Sequence, residues 1–194
     1  MSLIPDFELG LWNAWIFTFY LLLHSLLMRI IDKDVWKKMQ YRPNILLSRT
    51  PKKNLHFSRA IRLFLLIYSI FLPLKLGSTW FYLGLPICLL GSIMWTIAWL
   101  KFATTPLDEP VTQGLYRYSR HPMFLSAFLV AFGVSIASAS WLYFLLSILG
   151  AILRFFLYVI PEERFCLEKY GNAYRKYMNR TPRWIGIPKS EKKD

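Results

Sequence analysis

Five stretches of this chain, 9–31, 58–76, 80–100, 123–139 and 141–160, are apolar for close to the roughly 20 residues that carry a helix across a bilayer. In hydrocarbon the backbone must satisfy its own hydrogen bonds, so such stretches fold as helices. The expected fold is therefore all-α: a polytopic integral membrane protein with about five transmembrane helices. The 58–76 stretch carries Arg59 and Arg62 near one end and Pro73 near the other; the guanidinium groups there can snorkel to the interface. Trp12, Trp80, Trp99 and Trp141 fall near expected helix ends, as an aromatic belt would place them.

Charge sets the orientation. The chain has 194 residues, 55% of them hydrophobic, with 24 Lys+Arg against 11 Asp+Glu and a net charge of +13. In a soluble protein that excess would point to nucleic acid. Here the basic residues flank apolar stretches, so topology and anionic headgroups account for them, and nucleic acid is not expected as a partner. Lys33, Lys37, Lys38, Arg42, Arg49, Lys52 and Lys53 crowd the first connection, which the positive-inside rule assigns to the cytoplasm. Five crossings then put the N-terminus outside and the C-terminus inside. Loop 101–121 and everything after Pro161 become cytoplasmic, and the turns near Gly77 and Ser138 lie outside. Asp6 and Glu8 precede a first apolar stretch too long for a signal-peptide core, so it reads as a retained helix. Residues 1–188 are expected to form one membrane-embedded domain, with 189–194 a disordered charged tail. Cys88, Cys166, His24, His56 and His121 are scattered, so neither a disulfide framework nor a metal site is expected.

Polar chemistry concentrates around the last two apolar stretches. Gly114-Leu115-Tyr116-Arg117-Tyr118-Ser119-Arg120-His121-Pro122 precedes them, and Pro161-Glu162-Glu163-Arg164 follows them. Two helices joined by a short turn fold back on each other, which returns both clusters to one membrane surface. Pro122 suits the first turn of a helix and restrains His121 before it; a helix N-terminus flanked by Arg120 and His121 suits an anion, and equally suits interfacial anchoring. Glu162 and Glu163 cannot share a helix face, so one can enter the site while the other meets water; a solvated helix turn is the plain alternative. Arg154 lies inside an apolar stretch, where a charge is a candidate functional group or a snorkelling one. Gly171 reads as a helix break, and Tyr174 and Tyr177, three apart, share a helix face. Gly133 and Ala137, four apart, would permit close helix approach.

Together, the run Val111-Thr112-Gln113-Gly114-Leu115-Tyr116-Arg117-Tyr118-Ser119-Arg120-His121-Pro122-Met123-Phe124, the pair Glu162-Glu163, and Tyr170-Gly171, Tyr174 and Tyr177 resemble the integral-membrane methyltransferases. That family includes isoprenylcysteine carboxyl methyltransferase and the phospholipid methyltransferases. The resemblance covers about 106–183. It implies S-adenosylmethionine as cofactor, held on the cytoplasmic side at the C-terminal hairpin by Gly114, Tyr116, Tyr118, Arg120, His121, Pro122, Glu162 and Glu163. Arg154, His121 and Glu163 are then the candidate catalytic residues. It also implies a lipophilic acceptor that arrives from the membrane, the best guess being the carboxylate of an isoprenylcysteine or a phospholipid headgroup. Phe124 stands where the family usually has Tyr, Tyr158 stands near a place where relatives carry a basic residue, and Pro182-Arg183-Trp184 only partly resembles the usual ending.

Two other classes compete. Sterol reductases, which use NADPH, are similar in their C-terminal helices but are longer with more spans. A non-catalytic scaffold or small transporter would tend to place polar groups near the midplane, whereas here most gather at one surface.

Overall fold

The computed structural model describes residues 8–31, 52–106 and 108–189. Within these, the chain forms α1 (Trp15–Ile31), α2 (Lys52–Phe71), α3 (Thr79–Thr104), α4 (Pro122–Ala137), α5 (Trp141–Arg154) and α6 (Ile160–Arg180). A 3-10 turn, Gly114–Arg117, precedes α4, and a π-helical segment, Phe155–Val159, joins α5 to α6. No strand occurs among the described residues; one isolated bridge pairs Asn13 with Pro73. The basic connection 32–51 and tail residues 190–194 lie outside the described residues, while Lys189 donates its N–H to the Arg180 carbonyl at 2.9 Å.

Two helical stretches, Thr79–Thr104 and Trp141–Arg180, are long and apolar enough to cross a membrane. α4 is apolar but shorter, α1 spans 17 residues, and α2 is diluted by Lys52, Lys53, Arg59 and Arg62. α1 begins at Trp15, later than expected, because residues 8–14 form a turn and a single bridge beside the end of α2. Ala14 N–H donates to the Leu72 carbonyl, Leu74 N–H to Trp12, and Asn13 Nδ2 to Ile70. α2 stops at Phe71, short of 76, since Pro73 has no N–H with which to extend it. Lys75 N–H donates to the Ala137 carbonyl at 3.0 Å. The α2–α3 turn, the α4–α5 turn and residues 8–14 therefore share one end of the bundle, and the start of α4 lies at the other.

The tightest contact is between α3 and α4. A Cβ on Gly133 would lie 2.7 Å from the Cys88 backbone nitrogen, and one on Gly84 would collide with the Ala137 backbone. Small residues on both helices let the backbones meet, as close packing in lipid requires. The spacing of Gly133 and Ala137 points to such a contact; Gly84, which faces both, and Gly91, which faces Val130 and Ser126, carry no comparable signal. Buried Ser126, Ser138 and Ser147 return their hydroxyls to carbonyls four residues back, which satisfies these groups inside the bundle. Exposed Leu83, Leu90, Ile93, Leu145 and Ile152 cover the outward faces, an apolar surface suited to lipid. Trp12, Trp80 and Trp141 are exposed at the end shared by the two turns, as expected, but Trp99 is 2% exposed. It falls on the inward face of α3 with Cys88, Gly91 and Phe102, so packing removes it from the belt.

Candidate active site

The site forms where the start of α4, the start of α6 and the C-terminal segment converge. His121 caps α4 and Pro122 occupies its first turn. The helical rod that carries Glu163 is continuous through Pro161. A proline lacks the N–H of the ladder and its ring strikes the carbonyl four residues back; here the ladder widens just before it to a π turn, with Ile160 N–H bonded to Phe155. Such π turns often occur at functional positions. Gly171, at φ 53° and ψ −124°, then breaks α6, as its residue type suggests. Beyond it, Tyr174 and Tyr177 pack with ring centroids 5.6 Å apart.

The segment after α6 runs back along the loop before α4. Tyr177 Oη donates to the Tyr116 carbonyl at 2.7 Å, Arg120 N–H to Pro182 at 3.0 Å, and Gly186 N–H to Tyr118 at 3.1 Å. Ser119 Oγ accepts from the His121 N–H at 3.2 Å and donates to the Arg183 carbonyl at 3.2 Å. These bonds tie the two polar clusters into one body.

Glu163 is the hub. It is 4% exposed. Arg183 meets it with a fork: Nε donates to Oε1 at 3.1 Å and Nη2 to Oε2 at 2.6 Å. His121 Nε2 lies 3.1 Å from Oε1 and Arg120 Nη1 lies 3.0 Å from the same oxygen. The other ring nitrogen, Nδ1, lies 3.7 Å from Glu162 Oε2. Burial alone would lower the His121 pKa, but hydrogen bonds to Glu162 and Glu163 and their charges outweigh it, so the value is raised above 6.5. Burial would likewise raise Glu163, yet His121 and Arg183 hydrogen bonds, with the Arg120 and His121 charges, hold it down at about 2. The Glu163 fork raises the Arg183 value against a small opposing effect of burial. Burial pushes the Tyr174 and Tyr177 hydroxyls up, so both remain protonated donors.

With His121 protonated, three cationic groups face two carboxylates, which leaves one positive charge in a nearly closed site. Arg120 Nε and Nη1 are buried with no hydrogen-bond partner; the contact to Glu163 is close but not aligned as a hydrogen bond. A buried guanidinium with idle donors calls for a further acceptor, and the net charge calls for an anion. A carboxylate on a ligand fits both. Glu162, with its side chain 30% exposed, offers an acceptor to an ammonium or diol at the mouth.

Beside this cluster a 580 Å³ groove runs along α4, α5 and the π turn, lined by Phe124, Phe128, Phe155, Phe156, Trp184 and Ile185 among others. The Trp184 ring packs 5.5 Å from both Phe124 and Phe155, and Arg183 Cζ sits 5.7 Å over the Phe155 ring. The groove is therefore apolar along its length and adjoins the Arg183–Glu163 fork. Among the described residues no group of three or more His, Cys, Asp or Glu is placed to hold a metal.

Of the residues singled out from sequence, Arg120, His121, Glu162 and Glu163 come together, with Pro122 buried behind them. Tyr116 is buried and takes part through its carbonyl. Tyr118 is 51% exposed and likewise engages through its backbone. Gly114, at φ 64°, starts the 3-10 turn and lines a separate 510 Å³ polar pocket with Arg117, Lys176 and Arg180. Arg154 lines a half-open slot with Tyr158 and the exposed Arg62, and among the described residues it has no contact with the Glu163 cluster. Arg183 and Trp184 are the residues that sequence reasoning missed. Both stand in the Pro182-Arg183-Trp184 run that only partly resembles the family's usual ending, and the signal for them is that run returning after the Gly171 break.

Residues 80–173 match the family model described as phospholipid methyltransferase. The match includes the 114–122 run, the Glu162-Glu163 pair and Gly171, and it bears out the resemblance to the integral-membrane methyltransferases. No curated protein matches the chain.

Proposed function

With residues 80–173 assigned to the phospholipid methyltransferase family of integral-membrane enzymes, we propose that this protein transfers a methyl group from S-adenosylmethionine to a lipophilic acceptor. The observation that carries this reading is the buried Glu163 hub, cationic overall and with idle Arg120 donors, set directly against an apolar groove. One end of the site takes a small zwitterion and the other takes a hydrocarbon chain.

In this reading Arg120 binds the carboxylate of the cofactor's amino-acid end, a charge-assisted contact. Glu162 accepts from the ammonium or the ribose hydroxyls. Glu163 holds Arg120, His121 and Arg183 in place. His121, with a carboxylate at each ring nitrogen, favours the imidazolium and acts as a fixed donor and positive charge. A proton released by an amine or thiol acceptor would go to Glu162 at the mouth. S-adenosylmethionine, when bound, supplies a methyl group already activated on a positive sulfur. What remains for the protein is positioning and exclusion of water; Trp184, Phe124 and Phe155 close the groove side and guide the acceptor's chain. Residues 1–188 act as one domain with five membrane-embedded helices, the N-terminus outside and the site on the cytoplasmic side. The basic loop after α1 is the ground for that orientation.

Calorimetric titration of the detergent-solubilised full chain with S-adenosylhomocysteine, with NADPH in a parallel cell, tests the reading. Saturable binding of S-adenosylhomocysteine alone is expected. Binding of NADPH alone, by folded protein, would overturn it.

A further inference from the structure

The 510 Å³ polar pocket at Gly114 lies between the 3-10 turn and the second half of α6. Arg117 comes to it from the turn, and Lys176 and Arg180 come from α6. None of its lining residues is acidic, and none belongs to the Glu163 hub. Both walls are drawn from stretches without Asp or Glu, 110–122 and 171–189. The stem of Lys101 lies 3.8 Å from where a Cβ on Gly114 would be, so another cation stands close by. Among the described residues no ion pair joins Lys101, Arg117, Lys176 or Arg180 to a carboxylate.

Arg117, Lys176 and Arg180 are exposed, so water alone can solvate each of them. What distinguishes them is convergence. Lys176 and Arg180 stand four apart on one face of α6, where like charges weaken a helix. Arg117 is brought against them from a distant segment: the Thr181 hydroxyl donates to the Arg117 carbonyl at 3.4 Å, and Tyr177 Oη to the Tyr116 carbonyl at 2.7 Å. Three cations around one concavity with no counter-charge focus positive potential there. Thr112 and Gln113 add neutral donors to the lining. Guanidinium groups fork onto phosphate oxygens, and a phosphate monoester carries a charge of about −1.5 to −2 at pH 7. We infer that this pocket binds a phosphate monoester, with Arg117 and Arg180 as forks from its two walls and Lys176 as a point charge. The site is separate from the methyl-transfer site and does not depend on that reading. A bound anion bridges the 3-10 turn and α6, and so braces the loop that carries Arg120 and His121. Two sources offer this chemistry. Exposed Ile97 and Leu100 precede Lys101 in the last turns of α3, which brings the pocket near the edge of the apolar surface and within reach of a lipid headgroup. Its exposed lining equally admits a soluble phosphate compound.

The test uses the full chain in phosphatidylcholine nanodiscs and has two arms. In the first, inorganic phosphate and glycerol 3-phosphate are titrated calorimetrically at constant ionic strength. In the second, amide exchange of residues 114–121 and 176–181 is compared between discs that also contain phosphatidic acid, a monoester, and discs that contain phosphatidylglycerol, a diester, at matched surface charge. Saturable binding in the first arm assigns a soluble source. Slower exchange with phosphatidic acid but not with phosphatidylglycerol assigns a lipid source. A response in at least one arm is expected. The double variant Arg117→Gln/Arg180→Gln should weaken the binding at least tenfold or abolish the protection. Lys169→Gln/Arg175→Gln removes the same charge from exposed positions of α6 outside the pocket, and should change the response less than twofold. Absence of a response in both arms of the wild-type chain would overturn the inference without recourse to any variant. Full binding by Arg117→Gln/Arg180→Gln would overturn it too. Equal losses in the two double variants would do the same, since surface charge in general would then account for the binding.

Discussion

Arg183 and Glu163, twenty residues apart, meet through two parallel hydrogen bonds of 3.1 and 2.6 Å. That fork turns the C-terminal segment from a tail into a wall of the site. It places Trp184 over the apolar groove and holds the Glu163 carboxylate where His121 and Arg120 reach it.

Loss of the fork should loosen the segment more than the bundle. Hydrogen bonds to charged groups contribute roughly 1.5–3 kcal/mol each, but Arg183 is 36% exposed and solvent screening reduces this. Arg183→Ala should therefore cost about 1–2 kcal/mol. Limited proteolysis should then cut between Arg180 and Lys189 much faster than in the wild type, with the helical bundle intact. Unchanged protection would count against the wall.

Glu163→Gln keeps the shape and removes the charge. Arg120 and His121 would then be buried beside a neutral amide, and breaking a buried ion pair typically costs about 3–5 kcal/mol. A fall of that size in the unfolding free energy is expected, with S-adenosylhomocysteine affinity reduced at least tenfold. Thermal melts and titrations of the same sample measure both. Glu162→Ala, at the partly exposed mouth, should weaken affinity with little change in melting temperature.

Stability should depend on pH through two opposing limbs. His121 is raised in the folded state from 6.5, so its contribution is complete below pH 6.5 and is lost as pH rises through the folded value. Glu163 is depressed from 4.5 to about 2, so its contribution is complete above pH 4.5 and is lost as pH falls toward 2. Both act together between these two ordinary values. Melting temperature against pH should show His121→Gln flattening the alkaline limb and Glu163→Gln flattening the acid limb. Parallel profiles for His121→Gln and wild type would show that His121 is not the alkaline group.

Close packing of α3 on α4 separates two glycines. Gly133→Ala puts a methyl 2.7 Å from the Cys88 nitrogen, and overpacking of this kind costs roughly 1–3 kcal/mol. At Gly150 the nearest atom would be Ile61 Cγ2 at 3.6 Å, an ordinary contact, so Gly150→Ala should melt within a degree or two of wild type. Equal effects at both positions would contradict the close contact.

Patterns confined to one element are legible in the residues themselves. Apolar length locates α3 and α5 closely, since a helix in hydrocarbon is dictated by local composition. The spacing of Tyr174 and Tyr177 puts them on one face, and Gly171 breaks the helix where its residue type suggests. Helix ends set by contacts distant in sequence are not legible in this way: α1 starts late because Asn13 bonds to Ile70, a partner 57 residues away. Trp99 lies inward because α3 turns that face to its neighbours, which its position near a helix end does not reveal.

The chain's own order of residues determined the helical character and the short α4–α5 turn that returns Arg120-His121 and Glu162-Glu163 to one end. These follow from backbone hydrogen bonding in lipid and from chain connectivity, both local. Tertiary structure alone decided which carboxylate enters. Glu163 faces His121 because the rod passes Pro161 through a π turn that sets the rotation of α6. It alone decided that Arg183 completes the hub and that Arg154 lies instead with Arg62. A charge in a sequence has no direction until packing fixes the helix face and the side chain that opposes it.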